Sequence, residues 1–432
     1  MELHPERAPW REPERLFAGA AARHPDLFWL DAGPGAARGW SWLGVGAPAA
    51  DEEVRAVACA RVGRATDAAG PFRGGWVGWL AYEDGAGRAG APIAEGGGIP
   101  SRWLRAERFL AFDHAAHRMW LFAPDAAAFA HEIDGWEAAP GVARTAPPPR
   151  PARARHTPAE YAGLVEDCRS AIREGDAYQL CLTTRFEVDG PVDAVAAYLA
   201  LRQATPSHHG GFVRIDGVAL ASASPERFLE VAAGAGSGPV VRTHPIKGTR
   251  PRGADDAADA ALLDELRASP KERAENVMIV DLMRNDLARV AATGTVAVER
   301  LLEVESYPAV HQLVSTVTAR LAPEATVGAL WDAAFPAGSM TGAPKLSAMT
   351  ILHRLERGPR GVFAGCFGWV GDDGGMDLAM VIRSIVVHDT GAYVGAGGGI
   401  TWMSVAAEEV AEVGIKARAP LAALGATLPP GW

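Results

Sequence analysis

The sequence predicts an α+β fold built on extended sheets. Strand-like runs bounded by glycine and proline recur along the 432 residues. Helices declare themselves by capping signals and a 3.6-residue apolar spacing. The two kinds of segment alternate without the regular period of βαβ units. Hydrophobic residues make up 48% and charged residues 22%, so a chain of this length can bury a large core.

Taken in order, GGWVGWLAYEDG (Gly74 to Gly85) reads as a glycine-bounded strand and RMWLFAP (Arg118 to Pro124) as another. Both fall in an N-terminal region, residues 1–138. Between Ala139 and Pro158 the chain reads APGVARTAPPPRPARARHTP, with Pro147, Pro148, Pro149 and Pro151 close together and little to pack, which marks residues 139–157 as a linker. A second domain, residues 158–432, is expected after it. Thr157-Pro-Ala-Glu160 is a capping box with proline at the first helical position, followed by Tyr161, Leu164, Val165, Cys168 and Ile172 at helical spacing. QLCLTTRFEV (Gln179 to Val188) reads as a strand. Ser269-Pro-Lys-Glu272 opens a helix expected to reach Ala291, with Ile279, Met283, Leu287 and Val290 as its apolar stripe. A third helix is expected over Val405 to Arg418.

The net charge of -10 and the absence of a Lys/Arg-rich run argue against nucleic-acid binding. Cys59, Cys168, Cys181 and Cys366 are scattered without a CxxC pair, which suggests neither a zinc site nor a disulfide framework. The first residues are charged and lack the apolar core of a signal peptide, and no apolar run reaches membrane-spanning length. A cytoplasmic protein is expected.

Two constellations carry chemistry. Lysine occurs only at Lys247, Lys271, Lys345 and Lys416, although Lys and Arg together number 42. Arginine keeps its proton in a protein; lysine can lose it and become a nucleophile. Lys247, in HPIKGTRPRG, is therefore a candidate. Glu272 and Glu275 lie three residues apart on one predicted helix, and Glu409 and Glu412 repeat the spacing on another. Such pairs also decorate solvated helix faces, but two of them facing each other suit a hard divalent cation. No histidine joins them at a zinc-ligand spacing.

DLMRNDLARV (Asp281 to Val290), AFPAGSMTGAPK (Ala334 to Lys345), MDLAMVIRS (Met376 to Ser384) and GAGGGI (Gly395 to Ile400) closely resemble the chorismate-utilising enzymes. The resemblance is dense from Thr157 to Arg418 and rests mainly on GGWVGWLAYE before that. It implies a large two-layer sheet-and-helix fold with sheets packed around a central cleft that takes chorismate and Mg2+. It implies Glu272, Glu275, Glu409 and Glu412 as metal carboxylates. Substrate contacts are implied at Gly248, Thr249, His311, Thr341, Arg383, Gly399 and Lys416. The form PIKGT is similar to the aminodeoxychorismate-forming branch, whereas the anthranilate branch resembles PIAGT. In the former the lysine is implicated as a nucleophile on the ring and the glutamate of SPERF as the acid for the leaving hydroxyl, here Lys247 and Glu226. Arg242, Arg250 and Arg252 stand near Lys247 in sequence and are expected to help lower its pKa.

The chain has no GxCxG nucleophile motif, so the resemblance implies a separate class I glutamine amidotransferase subunit as the ammonia source. An anthranilate synthase component and a catalytically inactive glutaminase-binding relative are the alternatives. Three departures touch the substrate contacts: Cys181 stands where the family often has asparagine, Phe363 stands in the GxYxG motif, and Ser404-Val-Ala406 replaces the usual SDP.

Overall fold

The computed structural model describes residues 3–59, 69–94, 96, 98–138, 150–233, 238–307 and 310–432. Twenty strands among these join one antiparallel network. Its hub is the strand Arg102–Asp113, from which two arms leave. One runs through Trp40–Ala49, Leu27–Asp31, His209–Ile215, Val218–Ser224, Ser384–His388 and Gly391–Ile400 to Gln179–Asp189. The other runs through Gly75–Leu80, Cys366–Gly371, Met376–Met380, Arg227–Ala233, Pro239–Thr243 and Val310–Arg320 to Ile246–Pro251 and Ala297–Ser306.

Burial explains why so many strands are apolar on both faces. Along Leu27–Asp31, Leu27 and Trp29 enter one hydrophobic cluster while Phe28 and Leu30 enter another. Strand side chains alternate between faces, so each arm is a wall between two cores. One core includes side chains of the helices Pro13–Ala21, Ala126–Glu137, Pro158–Glu174, Ala194–Ala204 and Ala406–Ala423. The other is made chiefly by strands of the two arms facing each other, with Ile279, Met283 and Leu287 of the helix Pro270–Ala288.

The chain crosses from one arm to the other at Pro225–Glu226 and again at residues 381–383. The crossings are hydrogen-bonded to the neighbouring strands, Met380 N–H to the Glu226 carbonyl at 3.0 Å and Ala223 N–H to that of Arg383 at 3.3 Å. The helix Pro270–Ala288 lies on one arm and Ala406–Ala423 on the other.

Several local expectations shift. The capping box at Thr157 forms with both bonds, opening the helix Pro158–Glu174. GGWVGWLAYEDG is a strand only over Gly75–Leu80; Tyr82–Arg88 turns into a helix after it. The helix opened by Ser269 ends at Ala288, short of Val290, and the last helix runs on to Ala423. Of the predicted linker, residues 139–149 lie outside the described residues. Arg150–Pro151 and Arg153–Ala154 are laid into short pairings with Ala426–Thr427 and Glu187–Phe186. No helix among the described residues is long and apolar enough to cross a membrane.

Candidate active site

The ends of the two arms face each other across a cavity of about 630 Å3. Lys247 reaches it because its strand is irregular. The pairing of Ile246–Pro251 with Val310–Arg320 slips between Ile246 and Thr249, and Gly248 sits at φ 87°. A bulge of this kind re-aims a side chain. Glycine is required twice over at 248: the backbone is left-handed, and a Cβ would come within 2.8 Å of Leu266 and 3.0 Å of Glu272. Among the described residues the Lys247 ammonium makes no hydrogen bond or ion pair. The neighbouring arginines are held by carboxylates of their own: Arg250 by Glu265 at 3.0 Å, Arg252 by Asp259 at 2.7 Å and Arg242 by Glu299 at 3.6 Å.

Glu226 and Arg383 come from the two crossings. Glu226 is buried, and burial pushes its carboxyl up to about 7, against the pull of Lys247 and of a 3.4 Å hydrogen bond donated by Ser339. Burial thus favours its protonated form, the form a proton donor needs. Arg383 is held at φ 52°, a strained position for arginine. Its half-buried guanidinium has no hydrogen bond or ion pair among the described residues, an arrangement that suits an incoming carboxylate.

Glu272 and Glu275 enter the cavity from Pro270–Ala288, and Glu409 and Glu412 from Ala406–Ala423. Burial raises Glu275, and the nearby Glu272 and Glu409 raise it further; Glu409 is raised by burial and then by Glu412. For Glu412 burial is outweighed by Lys416, 2.7 Å away, and its carboxyl lies below the ordinary value. Lys416 also donates to the Gly397 carbonyl at 2.8 Å. The second pair reaches the glycine strand closely: a Cβ on Gly398 would lie 2.8 Å from Glu409 Oε2 and 3.6 Å from Glu412 Oε2. Among the described residues no three such side chains converge tightly enough to hold a metal as they stand. Glu272 leans on Arg250 at 3.3 Å and Glu412 on Lys416.

Five cations (Lys247, Arg250, Lys271, Arg383, Lys416) and five glutamates line the cavity. Thr249 and Gly399 line it as well.

Two expected contacts do not. His311 is buried with both ring nitrogens engaged, by Ser306 Oγ at 2.7 Å and Asp259 Oδ1 at 3.0 Å. Alternation along the strand turns it away and presents Val310 and Gln312 instead. Thr341 is also buried; its hydroxyl donates to the Ala337 carbonyl at 3.1 Å, and its neighbours Ser339 and Met340 line the cavity in its place. Ser339 and Gln312, which no sequence expectation named, line it too, as does Lys271, one of the four lysines the sequence sets apart. Of the departures, Cys181 lines the cavity with its backbone pinned by Thr341 and Arg360, and the Phe363 ring packs where a Cβ on Gly395 would stand.

The fourth lysine is structural. Lys345 Nζ binds Asp286 at 2.6 Å, tying the AFPAGSMTGAPK segment to the DLMRND helix and so fixing the loop that carries Ser339.

A family model described as chorismate binding enzyme matches residues 40–422. The chain belongs to that family. The aminodeoxychorismate synthase of Streptomyces pristinaespiralis is 39% identical over 95% of this chain and 62% of its own length. The anthranilate synthase component 1 of Streptomyces coelicolor is 39% identical over 82% of this chain and 73% of its own. The crystal structure of anthranilate synthase component I from Streptococcus pneumoniae superposes with a TM-score of 0.72 at 27% identity, covering 96% of this chain and 91% of that one. The chain thus spans under two thirds of the aminodeoxychorismate synthase it matches.

Proposed function

We propose that this chain is the chorismate-aminating component of an aminodeoxychorismate synthase. It exchanges the C4 hydroxyl of chorismate for an amino group, giving 4-amino-4-deoxychorismate and water. The observation that carries the reading is Lys247, aimed by its bulge into a cavity that also holds the buried Glu226, whose carboxyl burial pushes up to about 7. In the proposed reaction Arg383, the Gly248 amide and the Thr249 hydroxyl bind substrate carboxylates. Lys247 Nζ, once neutral, bonds to the ring; the ring π electrons shift and the C4–O bond breaks. Glu226 gives its proton to the departing oxygen, which leaves as water. Ammonia then bonds to C4, the electrons return, and the lysine is released. The glutamates of the two helices fit Mg2+ by donor chemistry, all hard oxygens, with waters and substrate completing the shell. When bound, Mg2+ supplies positive charge to a substrate carboxylate.

The ammonia comes from a separate glutamine-hydrolysing subunit; the word component in the names of relatives supports a divided enzyme. The product suits p-aminobenzoate and folate synthesis or a specialised metabolite. Four free, buried thiols fit a reducing cytoplasm. A second reading, an anthranilate-forming component, is favoured by the Streptomyces coelicolor relative and opposed by Lys247. The deciding experiment is incubation of the purified chain with chorismate, ammonium and Mg2+, with product identification. 4-Amino-4-deoxychorismate is expected; anthranilate with pyruvate, or unconsumed chorismate, overturns the reading.

A further inference from the structure

Among the described residues one arginine is buried, and it does not line the cavity. Arg360 is 3% exposed, and so is Glu356, four residues before it. The guanidinium gives Nε–H to Glu356 Oε2 at 2.8 Å and Nη2–H to Glu356 Oε1 at 2.6 Å. Its other bonds leave the pair: Nη1 donates to the Met340 carbonyl at 2.6 Å and Nη2 to the Cys181 carbonyl at 2.8 Å. Glu356 Oε1 also accepts from the Thr183 N–H at 2.8 Å and from its hydroxyl at 2.9 Å. The helix Tyr82–Arg88 closes the arrangement. The Tyr82 ring lies 4.3 Å from the guanidinium carbon, and Glu83 accepts the backbone N–H groups of Arg360 at 2.7 Å and Gly361 at 2.8 Å.

A buried pair of this kind is a poor source of stability. Taking both charges out of water costs about what their attraction returns, and packed apolar side chains of the same size often do as well. Apolar side chains cannot, however, hold two carbonyls at fixed points. Both carbonyls belong to residues that line the cavity. Met340 follows Ser339, whose hydroxyl donates to Glu226 at 3.4 Å. Cys181 lies opposite Gly399 in the ladder, and a Cβ on Gly399 would be 3.4 Å from Lys247 Nζ. Arg360 thus stands behind two walls of the cavity, one hydrogen bond from each.

We propose that Arg360, oriented by Glu356, is a positioning residue: its two carbonyl bonds fix the Ser339 loop against the Cys181 strand, and so fix the Glu226 carboxyl relative to the Lys247 amine. The inference rests on the roles proposed above for those two groups. A planar fork suits the task, because it reaches a carboxylate and two carbonyls in separate directions at once. A lysine would keep the charge, but its compact ammonium cannot span the same three acceptors. The groups proposed to bind substrate carboxylates, Arg383, the Gly248 amide and the Thr249 hydroxyl, make no bond to the pair, so its loss should disturb the chemical step more than binding.

The test compares Arg360→Lys and Glu356→Gln with the wild type, as full chains with ammonium as nitrogen donor. In steady-state kinetics kcat is expected to fall ~10–100-fold, the effect of a misplacement of about 1 Å, while KM for chorismate changes little. The second readout is carboxyl 13C NMR of glutamate-labelled protein, with Glu226→Gln locating the signal. The half-titration point of Glu226 is expected to move upward, because the hydrogen bond from Ser339 to its carboxylate is lost. Lys247 and Lys416, the cations that act on Glu226, are unaltered in these variants. Ser339→Ala is expected to reproduce the upward movement without touching the pair. A pair that only braced the fold would lower the melting temperature and leave both kcat and the Glu226 titration at wild-type values, which overturns the proposal. So does failure of both variants to fold, or a loss confined to KM. If the wild type makes no amino product from ammonium, the reaction reading falls, while the Glu226 titration still decides whether Arg360 positions it.

Discussion

Lys247 and Gly399 oppose each other across the cleft from the far ends of the two arms: a Cβ added to Gly399 would sit 3.4 Å from the lysine Nζ. The glycine has no left-handed torsion to excuse it, so its missing side chain is the point. Gly399→Ala would press on the Gln179 amide, 2.4 Å from the new carbon, and displace groups beside the amine. The fold is expected to survive, since the crowded atom ends a side chain. Turnover is expected to fall by roughly 10–100-fold, the effect of a misplacement of about 1 Å. Steady-state kinetics beside a thermal melt check this.

Lys247 separates nucleophile from charge. Lys247→Arg keeps the charge but supplies no lone pair, so activity is expected to drop by a factor on the order of 10^3 or more. Lys247→Ala leaves Gly248 and Thr249 in place and opens room at the ring. It is expected to bind chorismate, to form little 4-amino-4-deoxychorismate, and to divert towards a C2-substituted product. Product analysis and mass spectrometry for a lysine adduct read the outcome; near-normal rates in Lys247→Arg would remove the covalent role.

Much of the site was legible because it is written in short motifs. Lys247, Glu226, Arg383 and the four glutamates all meet in one cavity. What was not legible depends on long-range pairing. Nothing local says that Gly75–Leu80 pairs with Cys366–Gly371, or that Pro225–Glu226 and residues 381–383 are crossings between arms. Nor does the segment containing His311 reveal which strand face meets the cleft, and a shift of one residue exchanges His311 for Gln312. That correction is testable. Gln312→Ala is expected to raise KM for chorismate with little change in melting temperature. His311→Ala is expected to lower the melting temperature, because removing a side chain only 1% exposed leaves a void in the packed interior.

The glutamates predict linkage to metal. Burial and mutual repulsion hold Glu275 and Glu409 above the ordinary carboxylate value. A raised carboxyl contributes stability at low pH that is lost as pH rises through its folded value. At pH 8 the wild type should therefore melt lower without Mg2+, and Mg2+ should raise its melting temperature by mass action. Glu275→Gln removes one of the crowded charges. It is expected to melt higher than wild type in EDTA, to lose most of the Mg2+-dependent rise, and to lose Mg2+-dependent turnover. Equal Mg2+ shifts in both proteins, or full activity in EDTA, would exclude this site.

Glu226 sets the pH dependence of the reaction. Its carboxyl is raised from 4.5 to about 7, first by burial, so the protonated acid dominates below that value and is depleted above it. Turnover needs both the protonated Glu226 and a neutral Lys247, so it should fall, by about tenfold per pH unit, at alkaline pH where Lys247 is already deprotonated. Glu226→Gln keeps the shape but has no proton to give, and is expected to lose roughly 10^2–10^4-fold in kcat and with it this alkaline limb. Stability should move the other way. The native state holds its proton more tightly than the unfolded chain, so wild-type stability declines between about pH 4.5 and 7, by up to ~3 kcal/mol for this group. The glutamine variant escapes that decline and should exceed the wild type in melting temperature at pH 8 but not at pH 4. A glutamate that merely braced the turn would give the opposite pattern, with the variant less stable at every pH and the alkaline limb of turnover retained.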